Sequence, residues 1–343
     1  MKSKRILTLT LIVAALEIFR AADLRAGITV TKVSAVEVTV GDLDRSVAFF
    51  TNVLEFRRVS EVEVAGPEYE HLEDVFGIRM RVATLELADE RLRLMQFLAP
   101  RGKPFPFDSR ANDRWFQHIA IVVSDMDRAY ARLREYRVEY ASTSPQTLPR
   151  WNPHAGGIRA FYFRDPDGHF LELIQFPRGK GDPRWQRGNG RLFLGIDHTA
   201  IVIANTGASI AFYQRLGFHV AGTSDNFGTE QEHLNNVFGA HLRITSLHAQ
   251  SGPGVELLEY LTPRDGRPIP SDLRPTDLAW WQIILLTETK ASARSSTGWI
   301  TTAFADVSEP ELKPVSLPSN ELGFGRALII SDPDGHHVEL TQP

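Results

Sequence analysis

At 343 residues the chain is long enough for two domains that each bury a core of their own. Hydrophobic residues make up 43% and charged residues 23%, as in ordinary globular proteins, and a net charge of -4 makes no electrostatic case for nucleic acid as a partner. There is no Cys, which excludes disulfide scaffolds, thiolate zinc sites and Cys nucleophiles, so a metal would have to be held by His, carboxylate or amide oxygen.

The amino terminus differs from the rest. Lys2, Lys4 and Arg5 precede the apolar run Ile6 to Leu16, a basic segment and then a hydrophobic one of signal-peptide length, too short to span a bilayer. Glu17 interrupts the run, and Leu24-Arg25-Ala26 is the nearest approach to a cleavage site. Residues 1–26 are expected to direct export, to the periplasm or out of the cell, as a signal peptide or an anchor. The alternative is a cytoplasmic protein with a frayed amphipathic helix at that end.

Val33 to Val40 reads as a buried strand, and Asp42-Leu43-Asp44 opens a helix whose Val47, Phe50 and Leu54 recur at helical spacing. A strand over Phe56 to Val64, a helical turn over Glu70 to Gly77 ended by its Gly, and strands over Met80 to Leu87 and Arg91 to Leu98 complete a β-α-β-β-β unit. The order restarts at Trp115. A strand over Gln117 to Val123 leads to a helix capped at Ser124 or Asp125, then to strands over Val138 to Ser142 and Arg159 to Phe163 and a last one carrying Glu172. Pro177 to Arg191 is Gly-rich and basic without apolar periodicity, and reads as a solvated linker.

Beyond the linker the chain repeats itself. Glu232-His233-Leu234-Asn235-Asn236-Val237-Phe238-Gly239 matches Glu70-His71-Leu72-Glu73-Asp74-Val75-Phe76-Gly77, and Leu216-Gly217-Phe218 echoes Leu54-Glu55-Phe56. Asp165-Pro166-Asp167-Gly168 returns as Asp332-Pro333-Asp334-Gly335, and each is followed by a strand with a central Glu, Glu172 and Glu339. In such a turn Pro presets φ, the Asp side chains cap backbone groups and Gly tolerates positive φ. Alternation after the second turn puts Val338 and Leu340 on one face and His337, Glu339 and Thr341 on the other, so Glu339 looks into a cleft. The chain therefore reads as an α+β fold of four β-α-β-β-β modules paired into two domains. The fourth module is the least regular, because Thr289 to Thr302 is rich in Ser and Thr and makes a poor helix.

Paired modules of this kind, with a doubled Asp-Pro-Asp-Gly…Glu motif and a helix that opens near "Asp-Leu-x-x-Ser", resemble the vicinal oxygen chelate superfamily of glyoxalase I, bleomycin-resistance proteins, extradiol dioxygenases and methylmalonyl-CoA epimerase. The resemblance runs from residue 33 to the end. It implies that two modules form an open U-shaped mixed sheet with helices outside, and that a divalent metal sits in the cleft on residues from the first and last strand of each module. The domains it implies are residues 30–178 and 192–343, joined by a linker over 179–191.

Carried over strand by strand, the resemblance assigns the ligands of the second domain to His198, Glu256, Gln282 and Glu339. The same positions in the first domain are Ala35, Arg93, His118 and Glu172. Ala35 cannot ligate and the fixed charge of Arg93 opposes a metal, so this site is expected to be degenerate, with Arg93 paired to Glu172 or to a substrate anion. A lone His or Glu on a strand is ordinarily a hydrogen-bonded structural residue; four at four matching positions favour ligands. Trp115, Trp280 and Trp281 read as core or cleft lining, and His169, His336 and His337 as exposed residues beside the turns.

One divalent ion per chain is thus expected, Zn, Ni, Mn or Fe, with glyoxalase-like isomerase or lyase chemistry on a small carbonyl compound. The metal would stabilise an oxyanion, and Glu339, or else Glu256, would move the proton. Two alternatives stay open. An extradiol-type dioxygenase would need a second His where Gln282 stands and a Tyr ten residues before Glu339, where there is none. A protein that binds and sequesters a small molecule without turnover is the other. The partner is a small molecule, and the resemblance allows a homodimer.

Overall fold

The computed structural model describes residues 28–187, 190–289 and 314–343. The expected signal segment, residues 1–26, and nearly all of the irregular stretch of the fourth module lie outside them.

Two eight-stranded sheets carry the fold. The first module supplies β1 (Ile28–Thr39), α1 (Leu43–Asn52), β2 (Arg57–Ala65), α2 (Pro67–Glu73), β3 (Arg79–Leu87) and β4 (Glu90–Ala99). The second supplies β5 (Gln117–Val123), α3 (Met126–Glu135), the two-residue β6 (Gln146–Thr147), β7 (Arg159–Arg164) and β8 (Phe170–Gln175). The third supplies β9 (Phe193–Ile203), α4 (Thr206–Arg215), β10 (His219–Phe227), α5 (Thr229–Asn235), β11 (His241–His248) and β12 (Gly254–Thr262), and the fourth β13 (Trp281–Thr289), β14 (Val315–Ser316), β15 (Arg326–Ser331) and β16 (His337–Gln342).

The local expectations hold where alternation and capping are strong. Asp42, Asp125 and Asn205 cap α1, α3 and α4 by accepting the amides of Arg45, Arg128 and Ala208 at 2.9–3.0 Å. The short α2 ends one turn earlier than expected, on Asp74 in the left-handed region (φ 51°) and not on Gly77. Val138 to Ser142 makes only an isolated bridge, Tyr140 to Phe163, in place of a strand.

The pairing of modules differs from the expected one. The strand orders are β14-β15-β16-β13-β1-β4-β3-β2 and β10-β11-β12-β9-β5-β8-β7-β6. The first module therefore shares a sheet (sheet A) with the fourth, and the second shares a sheet (sheet B) with the third. Neither 30–178 nor 192–343 forms a sheet of its own. The physical reason lies in the apolar faces. Val36, Val38, Leu92 and Leu94 of sheet A, Ile119, Ile121, Leu171 and Leu173 of sheet B, and Phe50 and Leu133 of α1 and α3 form one core. Modules consecutive in the chain thus stand back to back across a hydrophobic layer, and each completes its sheet with a module from the other half. Val30, Val33, Ile201, Phe212, Ile283, Val338 and Leu340 form the matching core on the other side.

The two Asp-Pro-Asp-Gly turns clasp the sheets together. Asp165 Oδ1 accepts the amides of Asp167 and His169, and Asp332 Oδ1 those of Asp334 and His336, all at 2.9 Å, while Gly168 and Gly335 take φ of 99° and 95°. The second Asp of each turn reaches the other sheet: Asp167 accepts the Gly41 amide and Asp334 the Ala204 amide, both at 2.9 Å. His169 and His336 are buried rather than exposed. Their Nε2 atoms lie 2.6 Å and 2.8 Å from the carbonyl oxygens of Leu278 and Val202, each across the sheet boundary.

Candidate functional site

The concave face of sheet B gathers the residues that could ligate. On β5 the core side carries Ile119 and Ile121 and the cleft side His118; on β8 Leu171 and Leu173 face the core and Glu172 the cleft. The antiparallel pair β5–β9 sets Ala120 opposite His198, and Ala120 also neighbours Glu172 on the parallel strand β8. His118 sits opposite Ala200, beside Glu256 on β12. Two first strands and two last strands thus aim four side chains at one point.

His118 Nε2 lies 3.1 Å from Glu172 Oε2, and His198 Nε2 lies 3.6 Å from the same oxygen and 3.4 Å from Glu256 Oε2. Ligand atoms of His118, Glu172 and His198 all fall within 4.8 Å of one another, and all three residues are buried. Two imidazoles and two carboxylates suit a divalent ion, and the cluster could hold one. Orientation is supplied from behind: His198 Nδ1 faces Asp197 Oδ2 at 3.0 Å, Trp185 Nε1 donates to Asp197 Oδ1 at 2.7 Å, and Ser246 Oγ donates to Glu256 Oε1 at 2.6 Å. A carboxylate on the outer nitrogen of a ligating His fixes ring and tautomer. Burial pushes the Glu172 carboxyl up, but hydrogen bonds from His118 and His198 outweigh it and hold it at about 2. Burial lowers the His198 imidazole, yet Glu256, Asp197 and Glu172 more than reverse this and raise it well above its ordinary value. A metal would displace that proton, so its uptake weakens as pH falls.

The cleft, about 190 Å³, is walled by Leu148, Ile158, Ile244 and Leu258 and roofed by Gln231 and Leu234 of α5. Tyr162, on β7, also faces it; burial and the nearby Glu172 raise its phenol well above the usual range, so it stays protonated.

The expected ligand set is not one site. His198 and Glu256 meet His118 and Glu172 in sheet B, whereas Gln282 and Glu339 lie in sheet A beside Arg93. Each of the four expected ligands lies on a first or last strand of its module, but the sheets pair the modules crosswise, so the four do not meet. Arg93 accordingly does not pair with Glu172, which lies in the other sheet; its Nε lies 2.9 Å from Glu37 Oε2. Sequence reasoning also missed Asp197, Tyr162 and Trp185. Tyr162 stands ten residues before Glu172 and was legible as soon as that Glu was taken as the ligand. Trp185 belongs to the supposed solvated linker but is buried against Ala120, Val122, Ile174 and Leu194.

Sheet A holds a different chemistry. Gln282 Nε2 donates to Glu73 Oε2 at 3.2 Å, and Glu37, Glu73, Arg93 and Glu339 are all buried. Burial raises the Glu339 carboxyl, against Arg93 and with Glu37, to about 8. Since the folded state holds this proton to higher pH than the unfolded one, stability is lost as pH climbs from the ordinary carboxylate value towards 8. Glu339→Gln should therefore gain on the wild type in thermal unfolding at pH 9 while differing little at pH 5; a gap independent of pH would contradict this.

The Glyoxalase/Bleomycin resistance protein/Dioxygenase superfamily matches residues 32–173 and again 195–340. A 2-epi-5-epi-valiolone epimerase of Actinomyces sp is 35% identical over 149 residues, 42% of this chain and 79% of the relative. Among solved structures, glyoxalase I of Zea mays is similar with a TM-score of 0.57 at 16% identity, covering 92% of both chains. A putative dioxygenase of Bacillus subtilis reaches 0.52 at 11% identity, covering 93% of this chain and 86% of its own. At such identities these two structures speak for the fold alone.

Proposed function

This chain belongs to the Glyoxalase/Bleomycin resistance protein/Dioxygenase superfamily, and on that premise we propose that it is a metal-dependent isomerase or epimerase acting at a carbon next to a carbonyl, with its centre in sheet B. The observation that carries the reading is the convergence of His118, Glu172, His198 and Glu256, two of them carboxylates with unequal access to the cleft. When bound, a divalent ion supplies Lewis-acid polarisation of a substrate carbonyl.

The chain's own residues do the rest. Glu172 and the two imidazoles hold the ion; Glu172 is 6% exposed and shared between both His rings. Glu256 is 21% exposed and takes a hydroxyl hydrogen bond from Ser246 on its other oxygen, so it is the carboxylate placed to take a proton from substrate carbon and return it. Leu148, Ile158, Ile244 and Leu258 keep water from that proton, and the Tyr162 hydroxyl is a donor for a substrate oxygen. Asp197 keeps His198 oriented. Asp197→Asn should cost about 10- to 100-fold in metal affinity, the usual worth of a carboxylate behind a ligating His, measured by competition with a chelator; an unchanged affinity would remove Asp197 from the site.

The similarity to an epimerase supports the isomerase reading and supplies a first compound. Metal-loaded and chelator-treated protein would be incubated with 2-epi-5-epi-valiolone and with a panel of 2-oxoaldehydes in deuterated water and followed by NMR. Metal-dependent deuterium uptake at carbon, with an epimer or isomer appearing, is expected; no exchange with any of them rejects the reading. One observation favours a second reading. Tyr162 lies ten residues before Glu172, and two His residues face the cleft, the features that an extradiol dioxygenase was expected to have and that Gln282 and Glu339 did not offer. Oxygen uptake with catechols and iron would mark that chemistry, in which Glu256 has no evident task.

A further inference from the structure

Sheet A repeats the ligand geometry of sheet B with other residues. Ile284 lies opposite Ala35 and beside Glu339, as Ala120 lies opposite His198 and beside Glu172. Gln282 lies opposite Glu37, which is beside Arg93, as His118 lies opposite Ala200, which is beside Glu256. Ala35, Arg93, Gln282 and Glu339 therefore hold the positions of His198, Glu256, His118 and Glu172.

The guanidinium fills this second centre. Arg93 Nε lies 2.9 Å from Glu37 Oε2 on the neighbouring strand, and Nη1 lies 3.7 Å from Glu339 Oε2, which belongs to the fourth module. The Phe324 ring covers the guanidinium, with its centre 5.3 Å from the ring. Gln282 Oε1 and Glu339 Oε2, the two atoms at ligand positions that could still coordinate, are buried and accept no hydrogen bond among the described residues. In sheet B a cation would join carboxylates and imidazoles of the second and third modules; in sheet A one already stands between carboxyl groups of the first and fourth, and it is covalently part of the chain.

We propose that Arg93 is a built-in cation standing where a metal would bind, so that sheet A contains a latent metal site kept shut by one guanidinium and the chain takes up a single ion. The two changes that separate sheet A from a four-ligand site are Ala35 for His and Arg93 for Glu. A fixed positive charge repels a divalent ion whatever the other ligands are. Restoring the His alone is therefore not enough.

The proposal rests on sheet B as the metal site, and the test separates the two. Wild type, Ala35→His and Ala35→His/Arg93→Glu would each be saturated with Mn(II) or Zn(II), desalted and analysed for metal, with folding checked by circular dichroism. One ion per chain is expected for the first two and two for the double variant. A second ion in Ala35→His, or only one in a folded double variant, overturns the proposal. Zero in the wild type and one in the double variant would instead reject sheet B as a metal site and leave the reading of sheet A standing. Should the double variant not fold, Arg93→Met carries the test by hydrogen exchange on the metal-loaded protein. Peptides over β1, β4, β13 and β16 should exchange at least about tenfold faster while those over β5, β8, β9 and β12 keep their rates; unchanged exchange in the first group overturns the proposal.

Discussion

Glu172→Gln should strip the protein of metal and activity together, while Glu339→Gln should spare both. Glu172 Oε2 is the oxygen that both His118 and His198 approach, and the carboxyl is held at about 2, so it is an anion at every working pH. Replacing it with a neutral amide removes the charge at the middle of the cluster and leaves two imidazoles facing a weak oxygen donor. Groups that merely orient ligands are worth about 10- to 100-fold in metal affinity, so loss of this one should cost at least that much. Activity should return in part at high metal concentration, because Glu256 stays in place. Glu339, in the other sheet beside Arg93, touches none of this. Chelator competition and initial rates on the two variants decide the matter, and an inactive Glu339→Gln beside an active Glu172→Gln would place the centre in sheet A.

Glu256→Gln should separate proton transfer from metal binding. The amide keeps an oxygen of similar size next to His198 and can still accept the hydrogen bond from Ser246, so much of the metal should remain. It cannot take a proton. A positioned acid–base group is worth about 10² to 10⁴ in rate, and the loss should appear in kcat, with deuterium exchange at substrate carbon falling by the same factor. If the metal were lost instead and excess metal restored the full rate, Glu256 would be only a ligand and the base would have to be sought elsewhere in the cleft.

Local physics was largely legible in the residues. Val338 and Leu340 alternate with Glu339, and in the structure the first two enter the core while Glu339 lies buried beside Arg93. Asp42 and Asp125 cap their helices as Asp residues before an apolar-periodic run do. The exposed reading of His169 and His336 failed because local sequence does not say that a turn will be pressed against another sheet. The linker was misread for a related reason: Trp185 is one apolar residue in a basic, Gly-rich stretch, and periodicity cannot register a single anchor.

By itself the sequence determined the four-fold repeat, the strand positions that can carry ligands and the fact that Ala35 and Arg93 spoil one set of them. Only the tertiary structure decided which positions meet. Every first strand has one edge free to pair with another first strand, and its alternation is satisfied by any partner, so a pairing of modules one with two and three with four reads as well as the crosswise one. The choice is made by long-range burial. Val36 and Leu92 with Ile119 and Leu173 set consecutive modules back to back, which sends β1 to β13 and β5 to β9. That brings His118 and Glu172 together with His198 and Glu256, and leaves Gln282 and Glu339 in the sheet that holds Arg93.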